Sequence, residues 1–189
     1  MKTLIFRLIS AVCLFTVVVM INACKSSKKA PKGEVELTLY CTGKDFTTDK
    51  KHFRANAIGE SLDQMTAKKR AYSNAQTELA GAINLTVKAV VDNYVNSREL
   101  NNQEEVSERF ETLSRQVIDQ RLSGIRTICE KHTKTAEGKF KTYLAIELSA
   151  EELATEISQR LSSDERLKID YDYEKFKKTF EEEMNKLRQ

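Results

Sequence analysis

Residues 61–96 read SLDQMTAKKRAYSNAQTELAGAINLTVKAVVDNYVN, and the spacing of apolar side chains along them decides the fold. Met65, Tyr72, Leu79, Ile83, Val87, Val90 and Tyr94 recur at helical spacing. Ala67, Ala71, Ala75 and Ala82 form an adjoining strip of small residues. Ser61-Leu-Asp-Gln64 is a capping-box pattern, which places the helix start there. Gly81 is the strongest breaker before Asn96, so one helix over 61–96 is expected, roughly 50 Å long at about 1.5 Å per residue. The alanine strip lets another element approach the helix backbone closely, and a sheet is the expected neighbour.

Working outward, the residues on either side supply that sheet. Upstream, 34–41 (EVELTLYC) alternates with Val35, Leu37, Leu39 and Cys41 on one face, the period of a half-buried strand. Residues 42–52 are charged and turn-rich, and 53–59 (FRANAIG) read as a second short strand. Downstream, 97–104 are polar and interrupt the pattern, and a further helix then carries Val106, Phe110, Leu113 and Val117 on one face. Residues 124–132 and 139–148 read as two strands joined by TKTAEG, with Gly138 suited to a turn. Leu144, Ile146 and Leu148 alternate with Tyr143, Ala145 and Glu147, as in an antiparallel hairpin with one face on a core. Residues 151–161 form a short helix using Leu153, Ile157 and Leu161.

Ser162-Ser-Asp-Glu165 is another capping box, and it opens a terminal helix striped by Ile169, Tyr173, Phe176, Phe180, Met184 and Leu187. The fold class that follows is α+β. A small antiparallel sheet carries a long helix and shorter helices packed on it, with a carboxy-terminal amphipathic helix added. The division is a 34–161 α+β domain and a 162–189 helix, with no internal repeat.

The first 33 residues are of another kind. Lys2 and Arg7 precede an apolar run over 8–21 (LISAVCLFTVVVMI), shorter than the roughly 20 residues a membrane-spanning helix needs. That is the length of a signal-peptide core. Ile21-Asn22-Ala23-Cys24 then looks like a bacterial lipobox, with cleavage after residue 23 and lipidation of the Cys24 sulfur. Two or three acyl chains hold a protein to a membrane far more firmly than one. Lys25 stands where an aspartate often retains lipoproteins in the inner membrane, so delivery to the outer membrane, facing the periplasm, is expected. Residues 24–33 are a polar lipidated tether with four lysines and the only proline.

Charge excludes one large class of function. The chain has 31 basic and 28 acidic side chains, and losing Lys2 and Arg7 with residues 1–23 leaves 29 against 28. So near a balance argues against nucleic-acid binding, which needs a basic excess.

Ala67-x3-Ala71-x3-Ala75-x3-Leu79-Ala80-x2-Ile83 follows a segment ending in Gly59 and precedes a glycine-turn hairpin with Tyr143 on its returning strand. That order, over residues 53–149 together with the lipobox, resembles the LPP-twenty lipoprotein family. More distantly it is similar to the amino-terminal domain of a flagellar-assembly periplasmic protein. Where the family often has Gly-x-Gly before the helix, this chain has Ala57-Ile-Gly59, and the terminal helix lies outside the match. The resemblance implies a small α+β domain anchored in the bacterial envelope. It carries over no catalytic residue.

Four cysteines and two histidines hold most of the remaining chemistry. With Cys13 in the leader and Cys24 acylated, Cys41 and Cys129 remain, both on expected strands in an oxidising compartment. They either form a disulfide or stay as two buried thiols. With His52 and His132 they make a Cys2His2 set by composition, but Cys41-x10-His52 is not the tight pair structural zinc uses, so exposed loop histidines are preferred. A Cys129–His132 dyad would place its side chains on opposite strand faces. No Gly-x-Ser-x-Gly, His-Glu-x-x-His or phosphate-cradling loop occurs, so neither catalysis nor a cofactor is expected.

The stripe Phe176, Phe180, Met184 and Leu187 has two readings. It docks on the chain's own sheet, or it binds a partner protein or a second copy. The expected function is a non-catalytic lipid-anchored envelope protein that binds or scaffolds partners, with a small-ligand or glycan-binding lipoprotein as the alternative.

Overall fold

A computed structural model of the chain describes residues 33–35, 37–97, 102–167 and 171–187. The chain forms two compact units, Met1–Thr38 and Leu39–Gln189. In the first, only residues 33–35, 37 and 38 are described, so the leader, Cys24 and the tether as far as residue 32 lie outside the described residues. The second unit contains all the elements below, and it takes in the terminal helix that the sequence sets apart.

The order is β1 (His52–Ser61), α1 (Gln64–Asn96), α2 (Gln103–Arg121), β2 (Arg126–Lys134), β3 (Phe140–Ser149), α3 (Ala150–Ser163) and α4 (Tyr173–Lys186). The strands make one antiparallel sheet in the order β1-β3-β2. His52 pairs with Ser149 and Ser61 with Phe140. On the other side, Arg126 pairs with Glu147 and Lys134 with Phe140, with an irregularity between Thr127 and Cys129. The β2–β3 turn closes as expected, with Gly138 at φ 85 and its N–H donating to the Thr135 carbonyl at 3.0 Å.

The expected long helix forms, and its alanines do what their size allows. Ala67, Ala71 and Ala75 are fully buried, and their row runs on through Leu79, Ile83 and Val87 to Tyr94 as a single stripe. A Cβ added at Gly59 of β1 would lie under 3.0 Å from the Ala67 carbonyl oxygen and the Ala71 amide nitrogen. Strand and helix backbones therefore touch directly, through a glycine on one side and alanines on the other. This contact turns Met65 away from the core, where it is exposed. The helix begins two to three residues later than the Ser61 pattern indicates, because Asp63 is the cap, accepting from the Thr66 N–H at 2.7 Å.

Three expectations are corrected. Residues 34–41 form no strand among those described: Val35 and Leu37 are 82% and 78% exposed, and Cys41 takes a left-handed φ of 57. Alternation sets which side a strand would bury, but among the described residues no neighbouring strand offers its backbone a ladder. Second, β3 is not one-sided. It lies between β1 and β2, and Ala145 and Glu147 are as buried as Leu144, Ile146 and Leu148, because residues 41–51 fold over the face away from α1.

Third, the terminal helix does not start at Ser162. Ser162 and Ser163 close α3, and α4 starts at Asp172, which accepts from the Lys175 N–H at 3.1 Å. Ile169 lies outside the described residues, and Tyr173 is half exposed. Tyr94 fixes the entry of α4, since its hydroxyl accepts from the Asp172 N–H at 2.7 Å. Around it the rings of Phe110 and Phe176 stand 5.4 and 6.4 Å away, and Tyr171 donates to the Ser158 hydroxyl at 2.8 Å. Among the described residues no helix is long and apolar enough to cross a membrane.

Candidate functional site

The sulfurs come first, because their state limits all other chemistry. Cys129 stands opposite Ala145 on the face of β2 turned away from α1, and the chain before the Lys44–Phe46 turn brings Cys41 over that face. The two are joined in a disulfide with Cα atoms 5.5 Å apart, across 88 residues of sequence. Of the two readings left open by the sequence, the disulfide is the one the structure takes. Neither sulfur is then a thiolate, so neither serves as a resting nucleophile or a zinc ligand. His52 and His132 are not loop residues: each lies in a strand, and each has partners.

The face of the sheet away from α1 carries an ionic network around the buried carboxylate of Glu147. Arg54 Nε donates to Glu147 Oε2 at 2.9 Å, and Arg126 pairs with the other carboxylate oxygen. Arg54 also donates to Asp49 Oδ2 at 2.7 Å. Burial alone would raise the Glu147 carboxyl, yet the hydrogen bonds from Arg126 and Arg54 outweigh it and hold the group below the usual carboxylate range. Asp49 is held down to about 2: burial again opposes, but the Lys51 N–H, the Arg54 guanidinium and the His52 N–H all donate to it. Every charge here is spent on another, so the network serves to clamp residues 47–51 onto β1.

A second cluster sits on the α1 side of β2. His132 Nε2 lies 2.9 Å from Glu130 Oε1, and its Nδ1 lies 3.0 Å from the Thr142 hydroxyl. Lys68 of α1 pairs with the same Glu130 oxygen at 2.8 Å and holds that carboxyl low. The order acid, imidazole, hydroxyl resembles a nucleophile relay, but Thr142 is fully buried and has no path to a substrate. The cluster ties the edge strand to the helix. Sequence reasoning passed over it because Glu130, His132 and Thr142 meet only through the β2–β3 register.

One concave feature of the unit is a cleft of about 590 Å³ between the start of β1, α3 and α4. Ala150 donates its N–H to the Lys51 carbonyl at 2.9 Å, which sets the first turn of α3 against the start of β1. Phe176, Phe180 and Met184 reach the cleft from α4, and Lys50, Lys51 and Lys177 stand around it with Glu151 and Glu181. None of these five charged groups makes an ion pair among the described residues.

The stripe residues fall as follows. Phe176, Phe180 and Met184 are buried in the chain's own core, so they are not a surface for a partner. They dock against α1 and α3 rather than against the sheet. Leu187 alone remains exposed. No protein-family model, curated protein or solved structure was found to match the chain.

Proposed function

We propose that this chain is an exported bacterial lipoprotein, anchored through Cys24 and facing the periplasm at the outer membrane, where its folded unit acts as a non-catalytic binding or scaffolding component. The observation that carries the reading is the Cys41–Cys129 disulfide. Such a bond persists in an oxidising compartment, which is where a lipobox leader delivers its cargo. The resemblance of its segment order to the LPP-twenty lipoproteins, an expectation from sequence, is in keeping with it. Its mechanism is localisation: restriction to a surface raises the effective concentration of the unit towards whatever else is held there. Feeding cells an alkyne-tagged fatty acid tests this. The chain should take up label and fractionate with outer membranes, and Cys24→Ser should do neither. An unlabelled native chain in the soluble fraction would sink the reading.

A small-ligand reading is favoured by one observation, the cleft of about 590 Å³ in which Lys50, Lys51 and Lys177 outnumber Glu151 and Glu181, none of the five in an ion pair among the described residues, beside apolar side chains of α4. That combination suits an anion with an apolar part. Anilinonaphthalene sulfonate has both parts and fluoresces on transfer from water. Saturable binding by the folded chain, lost in a Lys51→Glu, Lys177→Glu double variant of unchanged stability, is the expected result. Equal binding by the two forms would remove the cleft from consideration.

A further inference from the structure

The sheet face away from α1 is only half covered. Towards His52 the chain over 41–51 lies on it: the Thr48 hydroxyl bonds both the N–H and the carbonyl of Arg54, and the Asn56 amide reaches the Phe46 carbonyl at 3.5 Å. Towards Ser61 that cover stops. There Tyr143 of β3 stands between Ile58 of β1 and Lys131 of β2 in the register, and the ring of Tyr40 meets it edge-on at 5.4 Å. Leu39, Tyr40 and Ile58 are 43%, 54% and 41% exposed. Lys139 and Lys141 border this end, both paired with Glu60, and Lys131 makes no ion pair among the described residues. With Glu137 in the adjoining turn, three lysines face two glutamates.

The same face is where the chain from the anchor joins the folded unit. The compact unit begins at Leu39, fifteen residues after Cys24. Two residues further on, Cys41 is bonded to Cys129, whose neighbour on that face of β2 is Lys131. The chain entering the unit is therefore tied to β2 by the disulfide, next to Tyr40. The span from 24 to 39 reaches at most about 50 Å, at roughly 3.3–3.6 Å per residue, so an anchor at Cys24 would hold Leu39 within that distance of the membrane.

We propose that the sheet face at Leu39, Tyr40, Ile58 and Tyr143 rests on the lipid headgroup layer. This inference rests on the anchoring of Cys24 proposed above. Tyrosine rings with an apolar body and a polar tip sit at that depth, and the lysine excess suits anionic headgroups. In this arrangement α1 and the cleft residues of α4 belong to the helical side, free to meet components of the periplasm.

The chain has no tryptophan, so one introduced residue reports its own position. Full-length Tyr40→Trp, and separately Leu85→Trp on the exposed side of α1, are produced with their lipid and reconstituted into vesicles of phosphatidylethanolamine and phosphatidylglycerol with brominated acyl chains. Flotation reports the anchor, and quenching reports the face. Emission at position 40 should fall by roughly half while that at 85 stays near its value in unbrominated vesicles, since interfacial burial reaches only about 5–10 Å. Ile58→Trp should follow position 40. Chains that float but show no quenching at 40 and 58, or equal quenching at 85, overturn the proposal. Chains that do not float overturn the anchor itself, and this inference with it.

Discussion

Alanine at Gly59 should damage this protein more than its one added methyl group suggests. The new Cβ would fall under 3.0 Å from two backbone atoms of α1, the Ala67 carbonyl oxygen and the Ala71 amide nitrogen. Neither can swing aside as a side chain would. Relief requires β1 and α1 to part by about 1 Å, and a gap of that size forfeits about a quarter to a half of the dispersion energy between facing atoms. The loss extends along the row Ala67, Ala71 and Ala75, all fully buried, and reaches Phe53 and Ala55 on the same strand face. Overpacking of this kind costs about 1–3 kcal/mol, and the backbone contact puts Gly59→Ala at the upper end, about 3 kcal/mol. In a chain of this size that is a fall in melting temperature of about 6–12 °C.

Gly81→Ala makes the internal comparison. Gly81 lies inside α1 with nothing within 4 Å of an added Cβ, so the same substitution should stabilise by about 0.5–1 kcal/mol. Urea denaturation followed by far-ultraviolet circular dichroism measures both. Gly59→Ala within about 0.5 kcal/mol of the parent would refute the direct backbone contact and with it the role assigned to the alanine strip.

Three further outcomes follow from the structure. Reducing Cys41–Cys129, or replacing both cysteines by alanine, should cost about 2–4 kcal/mol, and in a Cys13→Ser, Cys24→Ser background thiol titration of the unfolded chain should find the two remaining sulfurs only after reductant; thiols reactive without it in that background would exclude the bond. Phe176→Ala should cost about 3–5 kcal/mol in the same urea assay, because the ring is packed among Tyr94, Phe110, Tyr171 and Phe180, whereas Leu187→Ala should be near neutral. Asp49 titrates at about 2 when folded against 3.8 ordinarily, so its contribution is present in full above the ordinary value and is lost as pH falls towards the folded one. Urea midpoints taken from about pH 6 down to about pH 2 should therefore fall more steeply for the native chain than for Asp49→Asn, and parallel curves would remove Asp49 from the clamp.

Local pattern by itself determined a good part of this protein. A helix reads out its buried face every three to four residues, so α1, α2 and α3 were legible from Leu79, Ile83, Phe110, Leu113, Leu153 and Ile157. The hairpin was legible too, since its turn lies within the sequence that closes it. The α+β class followed from those elements. The expected leader and lipobox rest on sequence alone, since such signals are linear patterns and residues 1–32 lie outside the described residues.

Tertiary structure decided the rest, wherever the outcome depends on a partner distant along the chain. Residues 34–41 alternate like a strand, but a strand needs a neighbour's backbone, and none is offered there among the described residues. Glu147 was read as the wet side of a hairpin, yet Arg54 and Arg126 bury it, because β3 is central and both arginines flank it in the register. The stripe of α4 was legible as apolar, but periodicity gives only a direction around the helix axis. That its rings meet Tyr94 and Phe110, and not a partner or the sheet, was settled by the packing of α1 and α2 more than sixty residues earlier in the chain.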